Sequence, residues 1–336
     1  MKLLYTIQGT GNGHLARAEA LVPYLKKHFD QVDVLVSGFA SEIRPTSFQI
    51  DYTKRGISFV FGRRGGINWW QTLLKNNFFQ LLYDILTLPV TSYDLIISDF
   101  EPIGAWAGKI NKKRVIAMSH QSALLGANVP LTQKKYPYAR PFIKWFAPFN
   151  ERISFHFNPY DEKTLYPIIR DEIRKIIPVK EAHYTVYLPA YEDDYLISIL
   201  NRVEGVEWEI FSKYAQHARK AGNCSVFPLN SIKFAQRFSS CTGIICGAGF
   251  ETPAEAIFYG KKILVIPMKG QFEQDYNRAA LKELGVPSLN SLCLQNLKVI
   301  KNWVTKNQSI RIEYPDQREE IIKRINDYYH FCPQNH

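Results

Sequence analysis

The sequence predicts an α/β protein built from two Rossmann-like domains, and three observations carry that expectation. Short apolar runs alternate with amphipathic helical stretches along most of the chain, the pattern of parallel strands covered by helices on both faces. The alternation falls into two series, one opening at Lys2 and the other at Tyr184, separated by a segment that holds Pro159, Pro167 and Pro178. In each series a strand runs into a glycine loop that opens a helix: Gly9-Thr10-Gly11-Asn12-Gly13 in the first and Gly247-Ala248-Gly249 in the second.

Taken in order, Lys2–Ile7 reads as a buried strand ended by the glycine loop, and His14–Lys27 as an amphipathic helix. Val32–Val36 is the next strand, followed by less regular strand-like pieces near 46–50 and 57–61. Asp94–Ser98, a helix from Pro102 to Ile110 and the strand Arg114–Met118 continue the rhythm, with Ile153–Phe157 as one more strand. The second series runs through Tyr184–Leu188, Val206–Phe211, Ser225–Phe227, Gly243–Cys246 and Ile263–Ile266. The expected division is a first domain over 1–160, a second over 161–315, and a terminal segment, 316–336, with a helix from about Asp316 to Tyr329. No internal repeat or low-complexity tract interrupts the chain.

At 336 residues the chain is long enough for two full cores. A hydrophobic share of 46% with 22% charged residues is ordinary for a globular protein. Five scattered cysteines, with no Cys-x-x-Cys pair and no zinc spacing, read as free thiols in a reducing cytosol. The apolar start is cut off by Gln8 and Gly9, too short for a signal peptide, and no uncharged run is long enough to span a bilayer. A net charge of +11 favours anionic partners without choosing among them. No recognisable nucleic-acid module accompanies it, so no nucleic acid is expected. The protein is expected to be cytoplasmic, or peripheral on the inner membrane face.

The first glycine loop fits the dinucleotide pattern Gly-x-Gly-x-x-Gly only in part. Gly9 and Gly11 match, but His14 stands where the third glycine belongs, and the second strand ends in Ser37-Gly38-Phe39 without the acid that would hold a ribose. NAD is therefore set aside, and a plain fold turn stands as the alternative. An imidazole at this place suits a base, because its intrinsic pKa lies near cytosolic pH and a helix N-terminus disfavours its protonation. Arg17, one turn on, is either a phosphate contact in the same cleft or a solvated helix charge.

The second loop carries more. Gly247-Ala248-Gly249-Phe250-Glu251-Thr252-Pro253-Ala254-Glu255 reads as a glycine turn and a helix N-terminus with one inward acid. After the strand ending at Pro267, Gln271-Phe272-Glu273-Gln274-Asp275-Tyr276-Asn277 reads as a polar loop opening a second helix. Helix N-termini offer unpaired N–H groups and partial positive charge to a nucleotide diphosphate. This spacing resembles the donor-binding segment of GT-B glycosyltransferases, in the MurG-like branch that uses UDP-sugars. The start Gln8-Gly9-Thr10-Gly11-Asn12-Gly13-His14 resembles the N-terminal loop of the same branch. The resemblance is dense at 5–20 and 243–285, thin at 94–121, and absent from the aromatic middle of the first half.

The resemblance implies a GT-B fold whose domains face an interdomain cleft and whose terminal helix crosses back onto the first domain, and roles for single residues. Glu255 matches the acid that accepts hydrogen bonds from both ribose hydroxyls of UDP; its plain alternative is a helix-surface acid. Thr252 would give its hydroxyl and N–H to the diphosphate, or act only as an N-cap. Gly247 and Gly249 would let the backbone approach the nucleotide, or simply shape the turn. Gln274 and Asn277 match a Gln-x-x-Asn element of the family, and Gln271 and Glu273 would touch sugar hydroxyls unless they are an ordinary polar loop. His14 would sit at the cleft as the base or positioning group for the acceptor, with Gly11, Gly13 and Arg17 around it. Asp99 and Glu101 would bind acceptor hydroxyls or hold His14 in its working tautomer, and His120-Gln121 would line the acceptor side. Satisfied buried polar groups are the alternative for these four.

Many retaining relatives carry a second acid eight positions before the ribose acid, where this chain has Gly247. That points to an inverting reaction, with the leaving diphosphate met by helix N-termini and backbone donors and no metal required. Asp99-Phe100-Glu101 only superficially resembles the Asp-x-Asp of metal-dependent transferases. The loop Leu188-Pro189-Ala190-Tyr191-Glu192-Asp193-Asp194 lacks the glycines that touch diphosphate in MurG-like proteins, which leaves Tyr191 as a wall of the donor pocket. The function implied is hexosyl transfer from a UDP-sugar, as substrate with no cofactor, to an acceptor hydroxyl. Two other readings stay open: a non-hydrolysing sugar-nucleotide epimerase, and a non-catalytic GT-B-like binding module at a membrane.

Two aromatic, basic segments bear on the acceptor. Residues 54–75 hold Lys54, Arg55, Arg63, Arg64 and Lys75 with no acid, and the helix after them aligns Trp70, Leu74, Phe78, Leu81 and Ile85, with Trp69, Leu73, Phe79 and Leu82 beside them. Lys134–Phe146 repeats the mixture. Such surfaces suit an anionic membrane carrying a lipid-linked acceptor, each basic residue adding about 1 kcal/mol. A helix packed on the sheet by a wide apolar face is the alternative.

Overall fold

The computed structural model describes residues 1–38, 45–57, 72, 74, 76–178, 181–306 and 308–331. The first series folds as β1 (Lys2–Gln8), α1 (Asn12–His28), β2 (Gln31–Ser37), β3 (Tyr52–Lys54), α2 (Phe78–Thr87), β4 (Leu95–Asp99), α3 (Pro102–Ile110), β5 (Arg114–Ser119), the single turn α4 (His120–Ala123), α5 (Ala139–Phe146), β6 (Glu151–Phe155) and β7 (Thr164–Leu165). After the short α6 (Asp171–Lys175), the second series gives β8 (His183–Tyr187), α7 (Asp193–Leu200), β9 (Glu207–Ser212), β10 (Arg219–Ala221), β11 (Cys224–Pro228), α8 (Ser231–Ser240), β12 (Gly243–Cys246), α9 (Glu251–Tyr259), β13 (Lys262–Val265), α10 (Phe272–Glu283) and α11 (Leu297–Thr305). The final helix is α12 (Arg318–Phe331).

The strands form two sheets, ordered β3-β2-β1-β4-β5-β6-β7 and β10-β11-β9-β8-β12-β13. Among the described residues every pairing is parallel except that of β10 with β11, a hairpin edge that the apolar pattern does not announce. In each sheet the order reverses at one place, between β1 and β4 and between β8 and β12, and such switch points are where open α/β sheets bind ligands. The loops after β1, β4, β8 and β12 therefore meet at one cleft.

Some boundaries move. No strand forms at 46–50; the edge strand is Tyr52–Lys54, and the expected piece near 57–61 lies almost wholly outside the described residues. Helix α1 begins at Asn12, two residues early, because Gly11 takes the extended N-cap conformation. The first sheet also takes in Thr164–Leu165, past residue 160. Helix α12 lies on the first domain: Nη1 of Arg114 donates to the Tyr328 carbonyl (2.9 Å), the Tyr328 hydroxyl to that of Arg152 (3.2 Å), and Nη1 of Arg324 to that of Glu162 (2.8 Å).

Packing links the halves. One buried layer runs from Leu3, Tyr5 and Ile7 of β1 through Leu21 of α1 to Ala254 and Ile257 of α9 and Ile321 and Ile325 of α12. The other face of the first sheet, with Leu4, Ile96 and Val115, packs against Ile103 of α3 and Ile143 and Phe146 of α5. A third core, centred on Trp208, Ile210 and Val226, fills the outer side of the second sheet.

Of the expectations about the aromatic segments, one lies outside the described residues and one changes. Residues 58–71, 73 and 75, with Trp69, Trp70, Leu73, Arg63, Arg64 and Lys75, lie outside the described residues. Thr72 and Leu74 are helical, and a separate helix, α2, starts at Phe78, where the Asn77 side chain accepts from the Gln80 N–H and caps it. Its apolar face does not turn wholly inward: Phe79 is 89% exposed, and Phe78, Leu82, Tyr83 and Leu86 are exposed as well, while Ile85 and Asp84 are buried. The Asp84 carboxylate accepts from Lys54 (3.2 Å) and Gln80 (3.0 Å). Among the described residues no helix is long and apolar enough to cross a membrane.

Candidate active site

The loops at the two switch points enclose a cavity of about 700 Å³, in the range of small-ligand sites. From the first domain it is lined by Gly11, Gly13, His14, Arg17, Phe100, His120 and Gln121; from the second by Gly249, Glu251, Thr252, Glu255, Gln271, Glu273 and Gln274; and from the connector by Arg170. A smaller recess of about 120 Å³ opens beside it, between Leu188–Tyr191, Gly247, Gly249, Thr252 and Ile266–Lys269.

The first-domain wall is organised by Asp99, the last residue of β4. Its carboxylate is fully buried and lies 2.8 Å from Nδ1 of His14, with Oδ1 and Oδ2 accepting from Nη2 (2.7 Å) and Nε (3.0 Å) of Arg17. Burial alone would raise the pKa of Asp99, but the Arg17 guanidinium and His14 outweigh it and hold it below the usual carboxylate range. An ionised Asp99 can only accept, so Nδ1 of His14 carries the hydrogen and Nε2 presents a lone pair. That Nε2 lies 3.4 Å from the side-chain amide of Gln121, which donates to Glu273 at 3.0 Å. Phe100, next along the chain, adopts φ +54°, a left-handed conformation that costs a bulky residue about 1–2 kcal/mol. The strain sits at the turn that delivers Asp99.

Glu101 takes another part than the expected acceptor contact. It is fully buried, caps α3 by accepting from the N–H groups of Ile103 (2.8 Å) and Gly104 (2.6 Å), and accepts from the Ser37 hydroxyl (2.6 Å). With those donors around it, the carboxylate is spent on the fold. His120 has no free ring nitrogen: Nδ1 donates to the Phe155 carbonyl (2.9 Å), Nε2 lies 2.6 Å from Oδ1 of Asn277, and the ring stacks on Phe250 at 4.0 Å. It ties the first domain to the second and is no base.

On the second-domain wall, Gly249 and Thr252 face the cavity, and a Cβ added at Gly249 would meet nothing within 4 Å, so the backbone there is open to a ligand. Asn277, expected at the donor, is instead fully buried, with Nδ2 donating to the Ala248 carbonyl (3.0 Å). It braces the glycine loop from behind. Gln274 accepts from the Met268 N–H (2.8 Å), fixing the loop after β13 while still lining the cleft. Glu255 lies inward, gripped by the connector: Nε and Nη2 of Arg170 donate to its two oxygens at 2.7 and 3.0 Å. Arg170 escapes a sequence reading, since nothing local distinguishes it from Arg174 and Lys175 in the same connector.

Glu251 also escapes it, reading as an ordinary first-turn acid. It accepts from Nη1 of Arg17, so α1 and α9 are joined across the cleft. Burial, reinforced by Glu255 and Asp99 and opposed by Arg17, pushes its pKa up to about 7. Gly13 makes this crossing close: a Cβ there would stand 3.0 Å from Cγ of Glu251, which would have to give by a few tenths of an ångström. Among the described residues no group of three or more His, Cys, Asp or Glu side chains is placed to hold a metal ion.

Comparison with known proteins bears on the fold. A search of curated protein sequences finds no match. Among solved structures, the glycosyltransferase SnogD from Streptomyces nogalater superposes with a TM-score of 0.55 at 13% identity, over 97% of this chain and 99% of that one. MurG of Acinetobacter baumannii gives 0.52 at 14%, over 97% and 100%. A Listeria monocytogenes protein described as a UDP-N-acetylglucosamine 2-epimerase gives 0.62 at 11%, over 99% and 98%. At these identities the likeness is one of fold, the GT-B arrangement of two Rossmann-like domains. The family model described as glycosyl transferase family 1 matches residues 1–306, so the chain belongs to that family and is a glycosyltransferase of the GT-B fold.

Proposed function

We propose that this enzyme moves a hexosyl group from a UDP-sugar to an acceptor hydroxyl, with inversion and without a metal ion. The observation that carries the reading is the His14–Asp99 pair, which aims an imidazole lone pair into the cavity opposite the glycine loop of α9. Nε2 of His14 would take the acceptor proton as the hydroxyl oxygen attacks C1 of the sugar from the face opposite the nucleotide, and buried Asp99 would stabilise the imidazolium that forms. The diphosphate would leave against the N–H groups at the start of α9 and the Thr252 hydroxyl. Glu255 would hold the ribose, the recess beside Tyr191 and Met268 the base, and Gln271, Glu273 and Gln274 the sugar.

Inversion is supported by Gly247, which leaves no carboxylate where a retaining relative has one. The exposed apolar face of α2 supports a peripheral enzyme on the cytoplasmic membrane face, taking a lipid-linked acceptor. Resemblance of fold to an epimerase carries no chemistry by itself.

The test is a calorimetric and thermal-shift panel of nucleotides and nucleotide sugars, with the anomeric configuration of any product read by NMR in chelator-treated enzyme. UDP-sugars should bind best, and a UDP-α-sugar should yield a β-glycoside. A UDP-sugar turned over to its epimer with no acceptor present, or product with retained configuration, would overturn the reading.

A further inference from the structure

The carboxylate of Glu251 occupies an unusual place. It is the first residue of α9, between Gly249 and Thr252, and it reaches across the cleft to Arg17 on the first turns of α1. Its side chain is 14% exposed, and that of Arg17 is 2% exposed. Two helix N-termini point at this crossing, each adding partial positive charge. The Glu251 side chain lies close to α1, its Cγ 3.0 Å from where a Cβ on Gly13 would stand. The position is built for an anion, and the protein supplies one of its own.

We infer that Glu251 stands in for the donor diphosphate: when the nucleotide enters, Nη1 of Arg17 passes from the Glu251 carboxylate to a diphosphate oxygen, and Glu251 takes up a proton from solvent. The inference rests on the donor reading above and adds a residue to it. A diphosphate at the start of α9 places like charge against Glu251, and like charge at such range disfavours a carboxylate. The groups facing Glu251 leave little other relief. Arg17 and His14 come from α1, Asp99 from the end of β4, Arg170 from the connector, and Glu255 from the next turn of the same helix. Arg170 is committed to Glu255 and Arg17 to Asp99 by two bonds each, so Nη1 of Arg17 is the donor that can change partner. Proton uptake accompanies that change because Glu251 is poised near neutrality.

The experiment is titration calorimetry of UDP and of uridine at pH 7.5 in HEPES and in Tris, whose ionisation enthalpies differ. Wild-type enzyme should take up roughly half a proton or more per UDP bound, and none per uridine. Glu251→Gln should abolish the difference between buffers and bind UDP several-fold more tightly than wild type at pH 8, with the gap closing at pH 6. The same proton count in wild type and Glu251→Gln, or the same count for uridine as for UDP, overturns the inference. If Glu255→Ala weakens UDP while the proton count ignores Glu251, the donor site stands and only the hand-over fails. If UDP does not bind, or ignores both acids, the donor reading falls as well.

Discussion

Asp99 and His14 are 85 positions apart in sequence and 2.8 Å apart in space, at the tip of β4 and in the first turn of α1. The two strands pair directly, Ile7 beside Asp99, so the contact follows from the switch in strand order. His14→Ala should leave UDP affinity nearly unchanged and slow transfer by about 10²–10⁴-fold. Steady-state rates beside calorimetry check this, and near-wild-type turnover would remove His14 from the base role.

The Arg170–Glu255 fork predicts coupled behaviour. Glu255→Ala should weaken UDP by about 2 kcal/mol, tens-fold, through loss of charged hydrogen bonds to ribose. Arg170→Ala frees the carboxylate from its clamp, so the double variant should depart from additivity by about 0.5–3 kcal/mol. Affinities from a complete mutant cycle decide the matter; strict additivity would mean the two residues act separately.

Glu101 should affect stability and leave the donor site alone. Glu101→Ala strands the Ile103 and Gly104 N–H groups and the Ser37 hydroxyl in a buried place, at a cost of about 1–3 kcal/mol for an orphaned donor. Urea denaturation should show the loss, while UDP affinity of the folded variant stays at the wild-type value.

Glu251 makes stability depend on pH. Its folded-state pKa of about 7 exceeds the value of 4.5 for the free side chain, so its contribution is fully present below pH 4.5 and is lost as pH rises through 7. The loss amounts to about 3 kcal/mol by linkage. Wild type should therefore weaken relative to Glu251→Gln between pH 5 and pH 8 in parallel denaturation curves; a constant gap would contradict the assignment.

The exposed face of α2 predicts membrane binding that mutation can separate from catalysis. Phe79→Asp with Leu82→Asp should abolish co-sedimentation with vesicles containing anionic lipid while leaving UDP binding intact. Equal co-sedimentation of wild type and variant would detach this helix from any membrane role.

The strand and helix rhythm, both glycine loops and the two-domain plan were legible in the sequence because each rests on local pattern. His14, Glu255, Thr252 and Gly249 could be read as lining the cavity for the same reason: they stand at fixed distances from a strand end. Long-range pairing was not legible. Asn277 carries the right side chain at the right spacing, yet Ala248 and His120 draw it behind the loop. Glu101 sits two residues from Asp99, but an N-cap geometry claims it, and nothing in the sequence distinguishes the two acids. Arg170 and Glu251 find their partners 85 and 234 positions away, which no periodicity encodes.

The course of α12 has a mechanical corollary. The polypeptide passes between the lobes twice, once after Leu165 and once before Arg318, and the returning helix is fastened to the first sheet through Arg114, Arg152 and Glu162. Ile321 and Ile325 of that helix also enter the buried layer shared by both lobes, so the helix is a strap across the seam between them. Trimming the final helix would loosen that seam without removing any group that lines the cavity.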